Sequence, residues 1–404
     1  MLKYLAGIKV FVFNVLLGTL VLADYESGVV AYEQERYLDA IELFTSSATD
    51  GNIQSQLKLG EIYNSGEILQ INYIEALKWY KLAANQGNSE GQWRLGQLYD
   101  FGNGVDTDYT EAMRWYKLAA EQGNPGGQWR LGQLYYFGDG VEVDYKEASR
   151  WYKLAADQGN SDGQWKIGEL YYLGEGVEEN YQAAMRFFRL SADQNNPEGQ
   201  WRLGFLYDYG VGVDIDYQKA LRWYKLAADQ GNFEGQRRLG LLYQFGDGVE
   251  INYEEALRLY KLAADQGDSD AQWHIGSVYE EAYNDYLEAM RWYKLAASSG
   301  DADAQISIGN LYYFGNGVEV DYREAMRWYE LARDKLPAKS SVAIADARND
   351  LGEYNEATLE IEKILKSGIL IDDDYQRISA LFTLSHSYAS SGRPQKSVEV
   401  LKSI

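Results

Sequence analysis

"GQWRLGQLYYFGDGVEVDYKEASRWYKLAADQGNSD" (Gly127–Asp162) decides the fold, because it returns along the chain. Copies begin at Ser55, Gly91, Gly127, Gly163, Gly199, Gly235, Ala271 and Ala304, 36 residues apart except that the copy from Ala271 is three residues short. Eight copies over residues 55–339 of a 404-residue chain predict stacked units that bury their faces against one another.

Each copy reads as two helices. In the second, Ala148, Trp151, Tyr152, Ala155 and Ala156 fall at i, i+3, i+4, i+7 and i+8, which is one apolar stripe. Asp144 precedes it and Glu147 follows three residues later, the spacing of a capping box. The same signal stands at Asn72, Asp108, Asn252, Asp285 and Asp321. Gly159 supplies a left-handed stop and Asn160 the cap of the next helix; Pro125 and Pro197 sit in a first turn, where proline is tolerated. The first helix carries Leu131, Leu134 and Tyr135 on its inner face, with a glycine between them. That glycine recurs as Gly60, Gly96, Gly132, Gly168, Gly204, Gly240, Gly276 and Gly309. A helix-interior glycine costs about 1 kcal/mol relative to alanine. The repetition therefore predicts a close approach, with a bulky partner-helix aromatic such as Trp151 standing over the glycine.

Between the helices lies "FGDGVEVDYKEA" (Phe137–Ala148). Gly138 and Gly140 allow positive φ, Val141 plugs the turn and Asp144 caps the next helix. A phosphate loop needs a preceding strand, and none is patterned here. A calcium loop needs alternating carboxylates and a glutamate at its twelfth place, which this order lacks. The loop reads as a turn, with a weak divalent-ion ladder along Asp139 and Glu142 as the other reading.

The net charge is −23, with 38 basic and 61 acidic residues. Such a surface repels phosphodiesters and anionic lipid, leaving proteins, peptides and sugars as partner classes. The absence of cysteine excludes disulfides and thiolate chemistry. Having only His274 and His386 as imidazoles argues against a multi-histidine metal site, and no metal or cofactor is expected. His274 stands where neighbouring copies have arginine or lysine, and is expected to face solvent.

Residues 1–23, "MLKYLAGIKVFVFNVLLGTLVLA", pair Lys3 and Lys9 with an apolar run ending in small residues, a signal-peptide pattern. The run is shorter than a span of ~20 residues; an uncleaved anchor is the other reading. The segment holds two lysines and no acid, so its removal takes the net charge from −23 to −25. No cysteine follows the run, which excludes a lipoprotein anchor, and no Asn-x-Ser/Thr acceptor occurs. The lack of any cysteine to gain from an oxidising compartment, together with the lack of a glycosylation acceptor, favours a bacterial envelope, periplasmic or secreted, over a eukaryotic route.

At the ends the pattern changes but stays helical. Residues 24–54 offer Gly28, Ala31, Tyr37, Ala40 and Phe44 as a capping pair. Residues 340–404 offer Gly352, Tyr354, Ala357 and Ile361, then Leu384, Tyr388, Gly392, Ser397 and Leu401, with Ile369–Arg377 as a linker. Terminal units that cap exposed apolar faces are expected of a stack.

The run Leu-Gly-x-x-Tyr-x-x-Gly-x-Gly-Val-x-x-Asp-Tyr-x-x-Ala-x-x-Trp-Tyr-x-x-Ala-Ala-x-x-Gly, intact from Leu131 to Gly159, resembles the Sel1-like repeat, a relative of the tetratricopeptide repeat; the resemblance covers about 70% of the chain. It implies an all-α fold, a right-handed α/α superhelical solenoid with tetratricopeptide-like terminal pairs. It also implies an adaptor for protein complexes, whose exported bacterial relatives serve envelope assembly, exopolysaccharide secretion, signalling control or host interaction. Some secreted relatives are described as penicillin-binding or weakly β-lactamase-active, but carry a disulfide in each repeat. This chain has none, so hydrolysis is only a remote alternative.

In the tetratricopeptide architecture the first helix of each pair lines the concave side. Transferred here, Trp129, Gln133 and Tyr136 form one exposed stripe, with Trp93 and Gln97, then Trp165, Glu169 and Tyr172, then Trp201 and Asp208, and finally Trp273 as counterparts. Arg237 interrupts the column. The expectation is a non-enzymatic scaffold with a tryptophan-lined groove for a protein or peptide, a glycan being the alternative. The competing reading packs each of these tryptophans against the next unit. Trp115, Trp151, Trp223, Trp292 and Trp328 belong to the second-helix stripe and are expected to be structural.

Overall fold

The computed structural model describes residues 24–368 and 374–402. Residues 1–23, expected to be a signal peptide, and residues 369–373 of the expected linker lie outside the described residues. Every regular element among the described residues is helical. The described residues pack as two compact units, divided between Leu203 and Gly204.

In the first unit, α1 (24–33) and α2 (Tyr37–Thr49) precede α3 (Ile53–Ser65), α4 (Tyr73–Asn85), α5 (Ser89–Phe101), α6 (Tyr109–Glu121), α7 (Pro125–Phe137), α8 (Tyr145–Asp157), α9 (Ser161–Leu173), α10 (Tyr181–Asp193) and the start of α11 (Pro197–Tyr209). The second unit continues α11 and adds α12 (Tyr217–Asp229), α13 (Phe233–Phe245), α14 (Tyr253–Ala264), α15 (Ser269–Glu281), α16 (Tyr286–Ser298), α17 (Ala302–Phe314) and α18 (Tyr322–Ala332). Its tail is α19 (Pro337–Asp350), α20 (Tyr354–Lys366), α21 (Asp374–Ser390) and α22 (Pro394–Leu401). From α2 to α10, and again from α12 to α22, each helix packs on the next, giving an all-α repeat solenoid.

Local chemistry sets these lengths. The Asn160 side chain accepts from Gly163 N–H and starts α9, and Asp144 accepts from Lys146 and Glu147 N–H and starts α8. The capping box does not close. Asp144 N–H donates instead to Tyr135 O at 2.9 Å, tying the turn back to the first helix. Glu147 is left to pair with Arg150 at 3.3 Å on the surface. Gly138 ends α7 at φ 81°, as a left-handed cap requires. Gly140, at φ 72°, has a second duty: a Cβ there would lie 2.9 Å from Tyr109 Cβ in the preceding copy. The loop is thus also a joint between copies.

The helix-interior glycines do admit an aromatic, but it is the tyrosine rather than the tryptophan. A Cβ on Gly132 would stand 2.7 Å from two ring carbons of Tyr152; Gly96 meets Tyr116 and Gly168 meets Phe188 in the same way. Tyr152 and Trp151 are adjacent on one stripe, and the tyrosine is the one that points across the pair. The α1–α2 pair uses the same device, Phe44 standing over Gly28. A second glycine joins copies: Gly127 backs onto Ala119, its absent Cβ 2.8 Å from that methyl. Gln128 Nε2 donates to Ala120 O at 3.2 Å, and Gln158 Nε2 donates to Gln128 Oε1 at 2.7 Å, an amide relay that recurs at Gln56, Gln92, Gln164 and Gln236 but not at Gln272, where Ser299 replaces the second glutamine.

In several copies the phenol of the buried tyrosine reaches the end of its partner helix. Tyr116 donates to Asp100 at 2.9 Å and Tyr224 to Asp208 at 3.0 Å. Where Tyr136 takes that place, the Tyr152 hydroxyl is buried without a partner; where Tyr172 takes it, the ring is Phe188 and has no hydroxyl. Tyr116→Phe should therefore cost about 1 kcal/mol by losing a made hydrogen bond, and Tyr152→Phe should be neutral or stabilising. Urea midpoints check the pair, and equal losses would contradict it.

In the tail, Ala357, Ile361, Ile364, Leu384 and Tyr388 form one buried cluster, while Leu401 is exposed.

Candidate interaction surface

All eleven first-helix residues singled out from the sequence are half-buried, and none is exposed. The exposed stripe is therefore corrected: each copy leans on the previous one and covers much of the column. Trp93 shows how. A Cβ on Gly126 of the next first helix would lie 2.5 Å from its indole ring. The indole N–H groups of Trp93, Trp129 and Trp165 are buried without a partner, whereas Trp201 donates to Glu198 at 2.9 Å.

The ring faces of the first unit are covered by the cation that follows each tryptophan. Arg94 lies 4.2 Å from Trp93, Arg130 4.3 Å from Trp129, Lys166 4.1 Å from Trp165 and Arg202 4.2 Å from Trp201. These cations also reach back one copy. Arg130 sits over Phe101, Lys166 over Phe137 and Arg202 over Trp165, at 4.9, 5.7 and 4.3 Å. The result is a ladder in which aromatic and cation alternate from copy to copy. The tandem pattern QWR, QWR, QWK, QWR carried this signal in the sequence and was missed.

Acids lock the cations. Glu169 accepts from Lys166 at 2.9 Å and from Arg202 at 2.6 Å; burial alone would raise its carboxyl, but the two cations hold it below its ordinary value. Gln133 accepts from Arg130 at 2.8 Å. Burial, then the bond to Glu175, raises the Tyr136 phenol. Tyr172 lies 5.7 Å from Tyr181, ring to ring. Phe101 and Phe137, at the ends of α5 and α7, are 53% and 56% exposed and form the open rim of the ladder.

In the second unit the column is recast. Asp208 is spent on Tyr224, and Trp273 donates to Ser307 at 3.0 Å. Arg237, 9% exposed, bonds Glu234 through both carboxylate oxygens and Asp268 at 3.1 Å. It does more than interrupt: it replaces a tryptophan joint with an ionic one. His274 does not face solvent. Its ring stacks on Tyr260 at 5.1 Å, and its Nδ1 is buried without a partner.

Burial, then the charges of Arg237 and Arg238, push the imidazole down to about 3. The Asp303 carboxylate opposes this. The unfolded value is about 6.5. Between these values the unfolded chain binds a proton that the folded chain refuses, so stability is lost as pH falls below 6.5. His274→Phe should remove this loss, gaining about 2 kcal/mol on wild type between pH 7 and pH 5. Parallel pH–melting curves for the two proteins would contradict it.

Along Asp139 and Glu142 no ion cage is formed: among the described residues no three histidines or carboxylates converge as a metal site does.

The Sel1 repeat model matches eight consecutive segments, 53–88, 89–124, 125–160, 161–196, 197–232, 233–268, 269–301 and 302–335, each opening at the first residue of a first helix. The chain belongs to the Sel1 repeat family. Its Sel1 solenoid resembles the crystal structure of a protective antigen present in uropathogenic Escherichia coli strains and displaying an SLR fold. The identity is 30% and the TM-score 0.71, covering 94% of this chain and 86% of that one. A Sel1 repeat protein from Oxalobacter formigenes is 31% identical with a TM-score of 0.55, covering 59% of this chain and 96% of that one. No curated protein matches this Sel1 chain. The Sel1 fold is a protein-interaction module, and no described helix is long and apolar enough to cross a membrane.

Proposed function

We propose that this Sel1 repeat chain is an exported, non-enzymatic scaffold that binds a protein partner along the first-helix face, serving envelope assembly, signalling or host interaction. The observation that carries this is the aromatic–cation ladder of the first unit with its open rim, Phe101 and Phe137. Interfaces concentrate their energy in tryptophan, tyrosine and arginine set in packed surroundings. Here the arginines and Lys166 are already held by rings and carboxylates, so little side-chain freedom is left to lose on binding. The net charge of −23 favours a neutral or basic partner. The pairs at 24–54 and 340–404 cap the array.

A glycan is the weaker reading. Sugars stack on open aromatic faces, and these tryptophan faces are covered. Recurring carboxylates such as Asp144 and Glu147 have structural partners, so no acid–base pair supports hydrolysis.

Photo-crosslinkers at positions 101 and 137 should trap a protein in native envelopes, and crosslinkers at the second-helix positions 118 and 154 should not. Capture from 118 and 154 alone, or retention on peptidoglycan or exopolysaccharide without a protein crosslink, would reject this assignment.

A further inference from the structure

A cavity of about 560 Å³ lies in the second unit, where the last Sel1 helix α18 meets α19 and α20. It is open to solvent, and its apolar lining is the half-buried Met326 with the edge of the buried Ile344. Its walls hold Arg323, Arg327, Arg333, Arg348 and Lys363 against two acids, Glu330 and Glu360. That is an excess of cations in a chain with 38 basic and 61 acidic residues.

Both wall acids are already taken. Arg333 pairs with Glu330 and with Glu360, each at 2.6 Å. Burial works to raise the Glu360 carboxyl, and its bonds to Arg333 and Ser341 overcome that and hold it low. The remaining cations keep donors to spare. Arg348 Nη1 donates to Glu356 O at 3.3 Å and approaches Glu360 only to 3.9 Å, which leaves its other N–H groups for a ligand. Arg323 and Arg327 each meet one carboxylate, Glu353 at 3.3 Å and Glu324 at 2.7 Å, and a guanidinium has five N–H groups. Lys363 is exposed on the same wall.

We propose that this cavity binds a small organic anion, its apolar body on Met326 and Ile344 and its carboxylate or phosphate group on Arg327, Arg348 and Lys363. The volume falls within the range of small-molecule sites, and arginine forks match oxyanions in pairs. Neither the ladder nor its partner is involved, so this site stands or falls independently of the scaffold reading.

The test is calorimetric titration of the full chain at fixed ionic strength with phenyl phosphate, phthalate and inorganic phosphate. Saturable binding of phenyl phosphate or phthalate, tighter than that of inorganic phosphate, is expected, and the tighter of the two names the anion. The doubly exposed change Arg327→Gln with Lys363→Gln should weaken binding about tenfold or more without moving the melting temperature. Arg114→Gln with Lys153→Gln, in the first unit, should leave binding unchanged. No saturable heat, equal binding by the Arg327/Lys363 variant, or binding of an acidic peptide alone would overturn the proposal.

Discussion

Arg237→Ala should destabilise the second unit by about 3–5 kcal/mol, the range expected when one partner of a buried ionic cluster is removed. The guanidinium holds Glu234, Asp268 and Asp270 at 2.7, 3.1 and 3.4 Å. Asp268 also caps α15 by accepting from Ala271 N–H, so its carboxylate cannot swing out to water without releasing a helix end. Deleting the cation leaves the Asp268 carboxylate buried without its partner and, among the described residues, leaves Glu234 with only Arg238, at 3.6 Å. Arg237→Lys should recover only part of the loss, because an ammonium cannot fork between two acids. Adding Asp268→Asn to Arg237→Ala should recover more, since asparagine keeps the cap and drops the charge. Urea denaturation read by circular dichroism checks the series; a loss under about 1 kcal/mol for Arg237→Ala would show that the cluster is hydrated and weak.

Tyr152→Ala should cost about 3–5 kcal/mol, as truncation of a buried aromatic does. The ring is fully buried and lies directly over Gly132. Gly132, directly opposite the ring, has no side chain to fill the space. Trp151→Ala should cost less, since Trp151 sits at the joint between copies, with Arg150 over its face at 5.2 Å and 8% of its surface exposed. The order of the two losses, tyrosine before tryptophan, distinguishes the observed interlock from the one expected of the sequence alone.

The local code of the repeat was legible. Caps at Asn160 and Asp144, the left-handed Gly138 and the apolar stripe of α8 are short-range features, and each acts where its spacing put it. What failed depends on the third dimension. Trp151 and Tyr152 are neighbours on one stripe, and only the crossing of two helices chooses between them. The Glu147 side chain faced a choice between the cap and Arg150, and the cap's N–H had already gone to Tyr135.

The candidate surface was legible as a column but not in its depth. An i, i+4, i+7 stripe is exposed on an isolated pair; here the lean of the next copy buries it, and Gly126 under Trp93 was the one trace of that lean in the sequence. His274 was misread for the same reason. Its neighbours Tyr260 and Arg237 come from the preceding copy.

The claim that the recurring glycines and tyrosines are fastenings between helices is tested most directly by one cycle at positions 132 and 152. Alanine is the better helix former by about 1 kcal/mol, yet Gly132→Ala in the wild type should destabilise by about 1–3 kcal/mol, because its methyl meets the tyrosine ring. In the Tyr152→Ala background the same change should become stabilising. A reversal of sign is the predicted result; Gly132→Ala stabilising in both backgrounds would contradict the account.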